Sequence, residues 1–267
     1  MYIPKKQKAA SRPEVQKARI KDFTGGFSKT LLFIAAFFGI LAGIYKLGEK
    51  VLTSDEFMIK YFDVKGNHSV STDEIKTAGG LYGSMNIYFV NTGKIKQGII
   101  RHPDIEKVEV EREMPDKLII RIKEREAMAV LKMPGDETLP LDRRGYILSE
   151  NKLDNAASLP VIITDREVGA PGQKCRDEKV LSALDYLMVI RHAPERNFIK
   201  VKTVDARQKD ALILKTASID EILLSEQYSS DEVAKIFEVI KNLREMGRGA
   251  AKIDARYEDV AVVCKYL

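Results

Sequence analysis

Residues Leu31 to Tyr45, LLFIAAFFGILAGIY, carry no charge and are flanked by Lys29 and Lys46. A helix that is apolar all round must be surrounded either by a large protein core or by lipid. At about 1.5 Å per residue this run alone reaches roughly 22 Å, short of the ~30 Å hydrocarbon layer. Adding Phe27, Ser28, Thr30, Leu47 and Gly48, with Lys29 and Lys46 extending their ammonium groups to the headgroups, makes a span feasible. A buried core helix and a cleaved signal peptide are the alternatives. Cleavage wants small residues at Ala-x-Ala spacing after the run, whereas Ala42 and Gly43 are adjacent and Lys46, Glu49 and Lys50 follow. The segment therefore reads as an uncleaved anchor, with a transmembrane helix over residues 30–48 and a linker over 49–56.

Charge gives the anchor a direction. Residues 1–29 hold eight lysines and arginines against Glu14 and Asp22, a net of +6 in a chain whose total is +5, so the remainder is close to neutral. Lysine and arginine stay on the cytoplasmic side, which expects a basic cytoplasmic tail and everything from about residue 50 outside. After Lys29 no basic run interleaved with aromatics appears, so nucleic acid is not an expected partner.

With 45% hydrophobic and 31% charged residues, the chain has a composition that folds. In the exported part a strand is expected from Phe57 to Val64, with a turn at Lys65, Gly66 and Asn67. Ser71 and Glu74 have capping-box spacing for a helix carrying Ile75 and Ala78 and stopped by Gly79 and Gly80. Thr92 is the expected cap of a second helix through Ile95, Ile99 and Ile100, ending near Pro103. Strands follow at Ile105–Arg112 and Lys117–Glu124, the latter with Leu118, Ile120 and Ile122 on one face, joined by a turn at Met114, Pro115 and Asp116.

After Ala127 the pattern changes to short strands, expected at Met128–Met133, Pro140–Leu148, Phe198–Val204 and Ala211–Leu214, with a terminal strand from Ala251 to Leu267. Two helices interrupt them. Glu178 to His192 is closed by Pro194, and a second capping box at Ser229 and Glu232 opens a helix that stops at Gly247 and Gly249. No internal repeat is visible.

Chemistry-bearing patterns are scarce. His68, His102 and His192 are dispersed, and no Cys-x-x-Cys, His-Glu-x-x-His, Gly-x-Ser-x-Gly or P-loop sequence occurs. No cofactor, metal or catalytic residue is expected. A carboxylate pair assembled by the fold stays open as an alternative. Cys175 and Cys264 are too few and too distant in sequence for a disulfide framework or a paired-cysteine zinc site. They can bridge if the fold brings their Cα atoms within ~7 Å, and are otherwise buried thiols.

The order of elements resembles the bacterial cell-division family FtsQ/DivIB. The resemblance rests on Val64-Lys65-Gly66-Asn67, on Ser71 to Ile75, and on His102-Pro103-Asp104-Ile105-Glu106-Lys107-Val108-Glu109-Val110 through Pro115 to Ile122. It continues in Lys123-Glu124-Arg125-Glu126-Ala127-Met128-Ala129, in Leu141-Asp142-Arg143-Arg144-Gly145-Tyr146-Ile147-Leu148 with Leu159-Pro160-Val161-Ile162, and in Ile253-Asp254-Ala255-Arg256-Tyr257. Asp104 stands where the family often has tryptophan, and the chain contains no tryptophan.

The resemblance implies an α+β protein. A single N-terminal transmembrane helix leads into a polypeptide-transport-associated (POTRA) domain of β-α-α-β-β order at 57–126. A β-rich domain at 127–267 follows, with helices packed on a mostly antiparallel sheet. It also implies a non-enzymatic, bitopic scaffold at the division septum of the inner membrane. Its partners would be FtsB and FtsL, together with the septal peptidoglycan synthesis proteins FtsW and FtsI. Partner binding would fall on Ala255, Arg256, Tyr257, Glu258 and Val260 of the terminal strand, with Arg207 of the preceding Asp205-Ala206-Arg207 stretch as a weaker match, and would work by addition of a partner strand to an open edge. The structural alternatives are a core aromatic for Tyr257 and a solvated turn for Arg207. The rival functions are an outer-membrane assembly or secretion factor and an anchored wall hydrolase.

Overall fold

The computed structural model describes residues 14–194, 197 and 199–266. The first thirteen residues of the basic tail, Phe198 of an expected strand and Leu267 of the terminal one lie outside the described residues. The chain divides into two compact units, residues 1–58 and 59–267.

The first unit is dominated by helix α1, Glu14–Thr53, within which Lys29–Val51 is long and apolar enough to cross a membrane and is not buried by protein. The helix outruns the expected 30–48 at both ends because no proline interrupts residues 14–53. Beyond it Ser54 accepts a hydrogen bond from the Glu56 amide and caps a single 3-10 turn over Asp55–Phe57. That local cap takes Phe57 out of the expected first strand, which spans Tyr61–Lys65 as β1.

The second unit opens with the order β1, α2 (Thr72–Ala78), α3 (Thr92–Ile99), β2 (Ile105–Glu113) and β3 (Lys117–Glu124). The sheet order is β1-β3-β2, with β1 parallel and β2 antiparallel to the central β3. The Ser71–Glu74 capping box forms with both of its bonds. The cap of α3 is Asn91 and not Thr92, its side-chain oxygen accepting from the Lys94 amide at 3.0 Å. Leu118, Ile120 and Ile122 are buried with Ile75, Ile95, Ile99 and Val108, so two helices cover one face. The other face is laced with ion pairs, such as Arg121–Glu111 at 2.5 Å and Lys117–Asp63 at 3.3 Å. Gly66 turns the chain with φ +85, and a Cβ there would stand 2.2 Å from the Ile122 carbonyl oxygen.

Eight further strands form one sheet. They are β4 (Ala127–Lys132), β5 (Thr138–Asp142), β6 (Val161–Ile163), β7 (Val201–Asp205), β8 (Leu212–Thr216), β9 (Glu221–Leu224), β10 (Arg248–Asp254) and β11 (Ala261–Tyr266). Their order is β11-β10-β9-β8-β7-β6-β4-β5. Pairs β10–β9, β7–β6 and β6–β4 are parallel and the other four antiparallel, so the sheet is mixed with antiparallel pairs in the majority. The parallel pairs β7–β6 and β10–β9 arise because α4 (Glu178–His192) carries the chain from β6 to β7 and α5 (Ser230–Glu245) carries it from β9 to β10.

A single row of cross-strand partners crosses the whole sheet: Leu139, Leu131, Ile162, Val204, Leu214, Ile222, Ile253 and Val262, one from each strand. All belong to or pack on the core with Leu184 and Leu187 of α4 and Ile236 and Ile240 of α5. Both helices therefore cover that face. The next row, from Ile163 through Asp205, Ile213 and Leu223 to Asp254, points to the opposite side.

Several expected elements differ for identifiable reasons. Pro140–Leu148 is not one strand, since Gly145 adopts φ +78 and turns the chain back. The box expected at Ser229 and Glu232 does not form, because Glu232 is buried and binds Tyr186 of α4 and Ser225 instead. Strand β9 falls in a stretch not expected to be a strand. The terminal strand is a hairpin, broken between Asp254 and Ala261. Cys175 and Cys264 are both free, the first buried and the second exposed.

The segment joining the two sheets is bound on both sides. Buried Asp104 accepts from the Ser149 amide at 2.9 Å and from its hydroxyl, while the Arg125 amide donates to the Asp104 carbonyl at 2.7 Å. Glu124 accepts from the His68, Ser69 and Val70 amides and from Lys152 Nζ at 2.5 Å. Arg125 pairs with Asp142 at 2.6 Å and stacks 3.8 Å from the Tyr146 ring centroid. Asp104 thus ties the β2 entrance to Ser149.

Candidate partner-binding surface

An eight-stranded open sheet has two edges, and here they differ. The outer side of β5 is occupied: the Leu148 amide donates to the Pro140 carbonyl at 2.8 Å, the Asp142 amide donates to the Tyr146 carbonyl at 3.0 Å, and Leu141 bridges Ile147. Among the described residues strand β11 pairs only with β10, so its outer row of backbone groups faces outward. Val262 turns into the core, while Val263 is 58% exposed and Ala261 and Cys264 are exposed.

The residues singled out from the sequence cluster at the start of this edge, but not on the strand itself. Tyr257 and Glu258 lie in the turn between β10 and β11, because the ladder stops at Asp254 and resumes at Ala261. Tyr257 is 64% exposed, which excludes the core-aromatic alternative. Its carbonyl accepts from Lys235 Nζ of α5 at 3.2 Å. Ala255 is fully buried, its amide donating to the Leu223 carbonyl at 3.0 Å, so it supports the turn and offers no side-chain surface. Val260 is half-buried and packs on the core. Arg256 binds Asp254 through Nε at 2.9 Å and Nη2 at 2.7 Å, and its guanidinium lies 5.3 Å from the Tyr257 ring centroid.

Arg207 repeats this arrangement at the end of β7. It binds Asp205 through Nε at 2.9 Å and Nη2 at 2.7 Å, and the intervening Ala206 donates its amide to the Ile163 carbonyl at 2.8 Å. In each case the guanidinium holds its aspartate below the usual carboxylate range, with burial opposing it. The two pairs close equivalent units, β6-α4-β7-β8 and β9-α5-β10-β11. A structural repeat is present that the sequence reading missed, and its signal was the tripeptide Asp-Ala-Arg at 205–207 and again at 254–256.

With β8 and β9 between them, the two arginines are roughly 14 Å apart on the helix-free face. Ile213 and Leu223 lie between them in register. Arg207 also borders a charged cleft of about 710 Å³ with Arg166, Arg176, Lys179, Asp177 and Glu226. Lys179 is held there by the Gln208 and Lys209 carbonyls and by Glu226 at 2.5 Å.

The three-stranded sheet with two helices has the build of the POTRA class, and residues 57–125 match the family model for the FtsQ-type POTRA domain, while Lys29–Val51 is long and apolar enough to cross a membrane. The relatives agree. The chain is 28% identical to the cell division protein DivIB of Clostridium tetani over 41% of its length and 40% of that protein's. It is 26% identical to the cell division protein FtsQ of Syntrophotalea carbinolica over 52% and 50%, and 24% identical to FtsQ of Bradyrhizobium diazoefficiens over 89% and 69%. The matched stretches thus cover about two-fifths to half of the first two relatives. The FtsQ-type POTRA match and these relatives support the FtsQ/DivIB family of bacterial cell-division proteins as the one this chain is similar to.

Proposed function

We propose that this chain is a non-enzymatic scaffold of the division machinery, held in the cytoplasmic membrane with its N-terminus inside and residues 57–267 outside, at the septum. In this reading 57–126 is the POTRA domain, 127–267 is the β domain, and the scaffold joins FtsB- and FtsL-type proteins to the septal synthesis proteins FtsW and FtsI. The observation that carries it is the asymmetry of the eight-stranded sheet: β5 is covered by residues 146–148, whereas β11 offers an edge unpaired among the described residues. A partner strand laid along β11 gains main-chain hydrogen bonds and passes Tyr257, while Arg256 and Arg207 mark the adjoining face.

The +6 charge of residues 1–29 supports the orientation. The outer-membrane assembly alternative needs a barrel of ~10-residue strands, and the strands following the POTRA region run four to seven residues in one open sheet apart from β6 at three. Mild crosslinking in membranes followed by capture of this chain tests the reading. Recovery of septal proteins crosslinked at β11 supports it, and recovery of outer-membrane assembly factors in their place overturns it.

A further inference from the structure

The POTRA sheet has two unlike ends. At one, Glu124 and Asp104 are tied to Lys152 and Ser149. At the other the chain enters, and large apolar side chains stand in solvent: Tyr61 and Phe89 are each 62% exposed, Met114 50% and Tyr88 45%. The hydrogen bonds bring these residues to one end. The Tyr61 amide donates to the Asp116 carbonyl, next to Met114, and Arg112 Nη2 donates to the Val90 carbonyl at 2.8 Å, next to Phe89. The Ile59 amide donates to the Met85 carbonyl at 2.8 Å, which holds the loop carrying Tyr88 beside the start of β1. Exposed Lys94 flanks the group, as does Lys60, which also pairs with Asp116 at 3.5 Å. Tyr61 stands at the end of the sheet's outer face, in register with Lys117, and beyond it that face is covered with paired charges.

The candidate span ends at Val51 and the folded unit begins at Ile59. Eight residue steps reach at most roughly 28 Å, about one diameter of a domain this size. This end of the domain is therefore confined to the vicinity of the bilayer, where aromatic rings settle at headgroup level and lysines meet anionic lipid. We propose that Tyr61, Tyr88, Phe89 and Met114 form a lipid-contacting surface that seats the POTRA domain on the headgroups of the membrane anchoring it. The proposal rests on Lys29–Val51 being embedded in that membrane.

The chain has no tryptophan, so a single one reports its own position. Full-length Phe89→Trp, and separately Met114→Trp, would be reconstituted in phosphatidylethanolamine–phosphatidylglycerol vesicles with brominated acyl chains, with Tyr257→Trp as the distant reference. Flotation with the vesicles reports the anchor, and quenching of the introduced indole reports the seating. Vesicle-associated Phe89→Trp or Met114→Trp protein whose emission falls at least about twofold more than that of the Tyr257→Trp reference supports the proposal. Floating protein in which both variants are quenched no more than the reference overturns the seating while leaving the anchor intact, and points to a protein partner for this patch. Protein that does not float overturns the anchor and the proposal together. Folding of each variant is read from its melting transition, and Met114→Trp decides if Phe89→Trp fails to fold.

Discussion

Arg207 and Arg256 occupy the same position in two successive β-α-β-β units, each clamping the aspartate two residues before it with Nε and Nη2 at 2.9 and 2.7 Å. The alanine between aspartate and arginine is buried both times and bonds back to the neighbouring parallel strand. The equivalence explains why two residues 49 positions apart, singled out separately in the sequence, come to share one face of the sheet. It also explains their difference: Arg207 is followed by β8, which is covered by β9, whereas Arg256 is followed by β11, which no described strand covers.

Tyr257→Ala separates binding from folding. The ring is exposed, so the melting transition should move by no more than a surface substitution does, about 0.5 kcal/mol. Affinity for an FtsB-type peptide should fall by about 2 kcal/mol, near thirtyfold, if the ring is a central anchor. Unchanged affinity in a titration would remove Tyr257 from the interface.

Proline along β11 reads the open edge directly. Amides of adjacent residues in a strand point in opposite directions, so of Val262 and Val263 one amide faces β10 and the other faces outward. Proline at the outward position should abolish partner pairing with little change in melting, while proline at the inward one should destabilise the hairpin. Val263→Ala serves as the side-chain control. Two proline variants that both bind normally while folded would exclude strand addition at β11.

Glu124 links the two sheets in a pH-dependent way. Burial would raise its pKa, but Lys152, Ser69 and the Val70 and His68 amides outweigh it and bring it from 4.5 to about 2. A carboxyl depressed in the folded state contributes stability that is complete above its unfolded pKa and lost as pH falls through the folded one. Urea denaturation of the wild type should therefore lose on the order of 2 kcal/mol more than Glu124→Gln between about pH 5 and pH 2. Parallel pH profiles for the two proteins would contradict this.

Tyr186 and Glu232 hold α4 against α5. The Tyr186 hydroxyl donates to Glu232 at 2.8 Å and accepts from the Ser229 amide at 3.1 Å, and both side chains are buried. Tyr186→Phe leaves the carboxylate short of a donor and should cost about 1–3 kcal/mol in thermal or urea unfolding. A loss below ~0.5 kcal/mol would show that Ser225 alone satisfies Glu232.

Orientation is testable with the two thiols. Cys264 is exposed and Cys175 buried, so a membrane-impermeant maleimide should label Cys264 in right-side-out vesicles and leave it unlabelled in sealed inverted ones. Cys264→Ser is the control for specificity. Labelling in the inverted vesicles alone would reverse the proposed topology.

What the sequence determined by itself is what neighbouring residues settle among themselves. The apolar run at 31–45, the capping box at Ser71 and Glu74, the alternation of Leu118, Ile120 and Ile122, and the bounds of α4 at Glu178 and His192 each depend on a few adjacent positions. So does the β-α-α-β-β order that exposed the POTRA domain. Tertiary structure decided whatever depends on partners far along the chain. Glu232 has the spacing of a cap, yet Tyr186, 46 residues away, offers it a better hydrogen bond in the core. Tyr257 reads as part of a strand, yet the ladder of β10 ends at Asp254, and the ring is left in a turn. Which edge of the sheet is open followed from residues 146–148 folding over β5, through backbone bonds that no side-chain pattern announces. Strand order is set by which hydrophobic faces meet, and in this chain by two helical crossovers that place eight apolar residues in one row beneath α4 and α5.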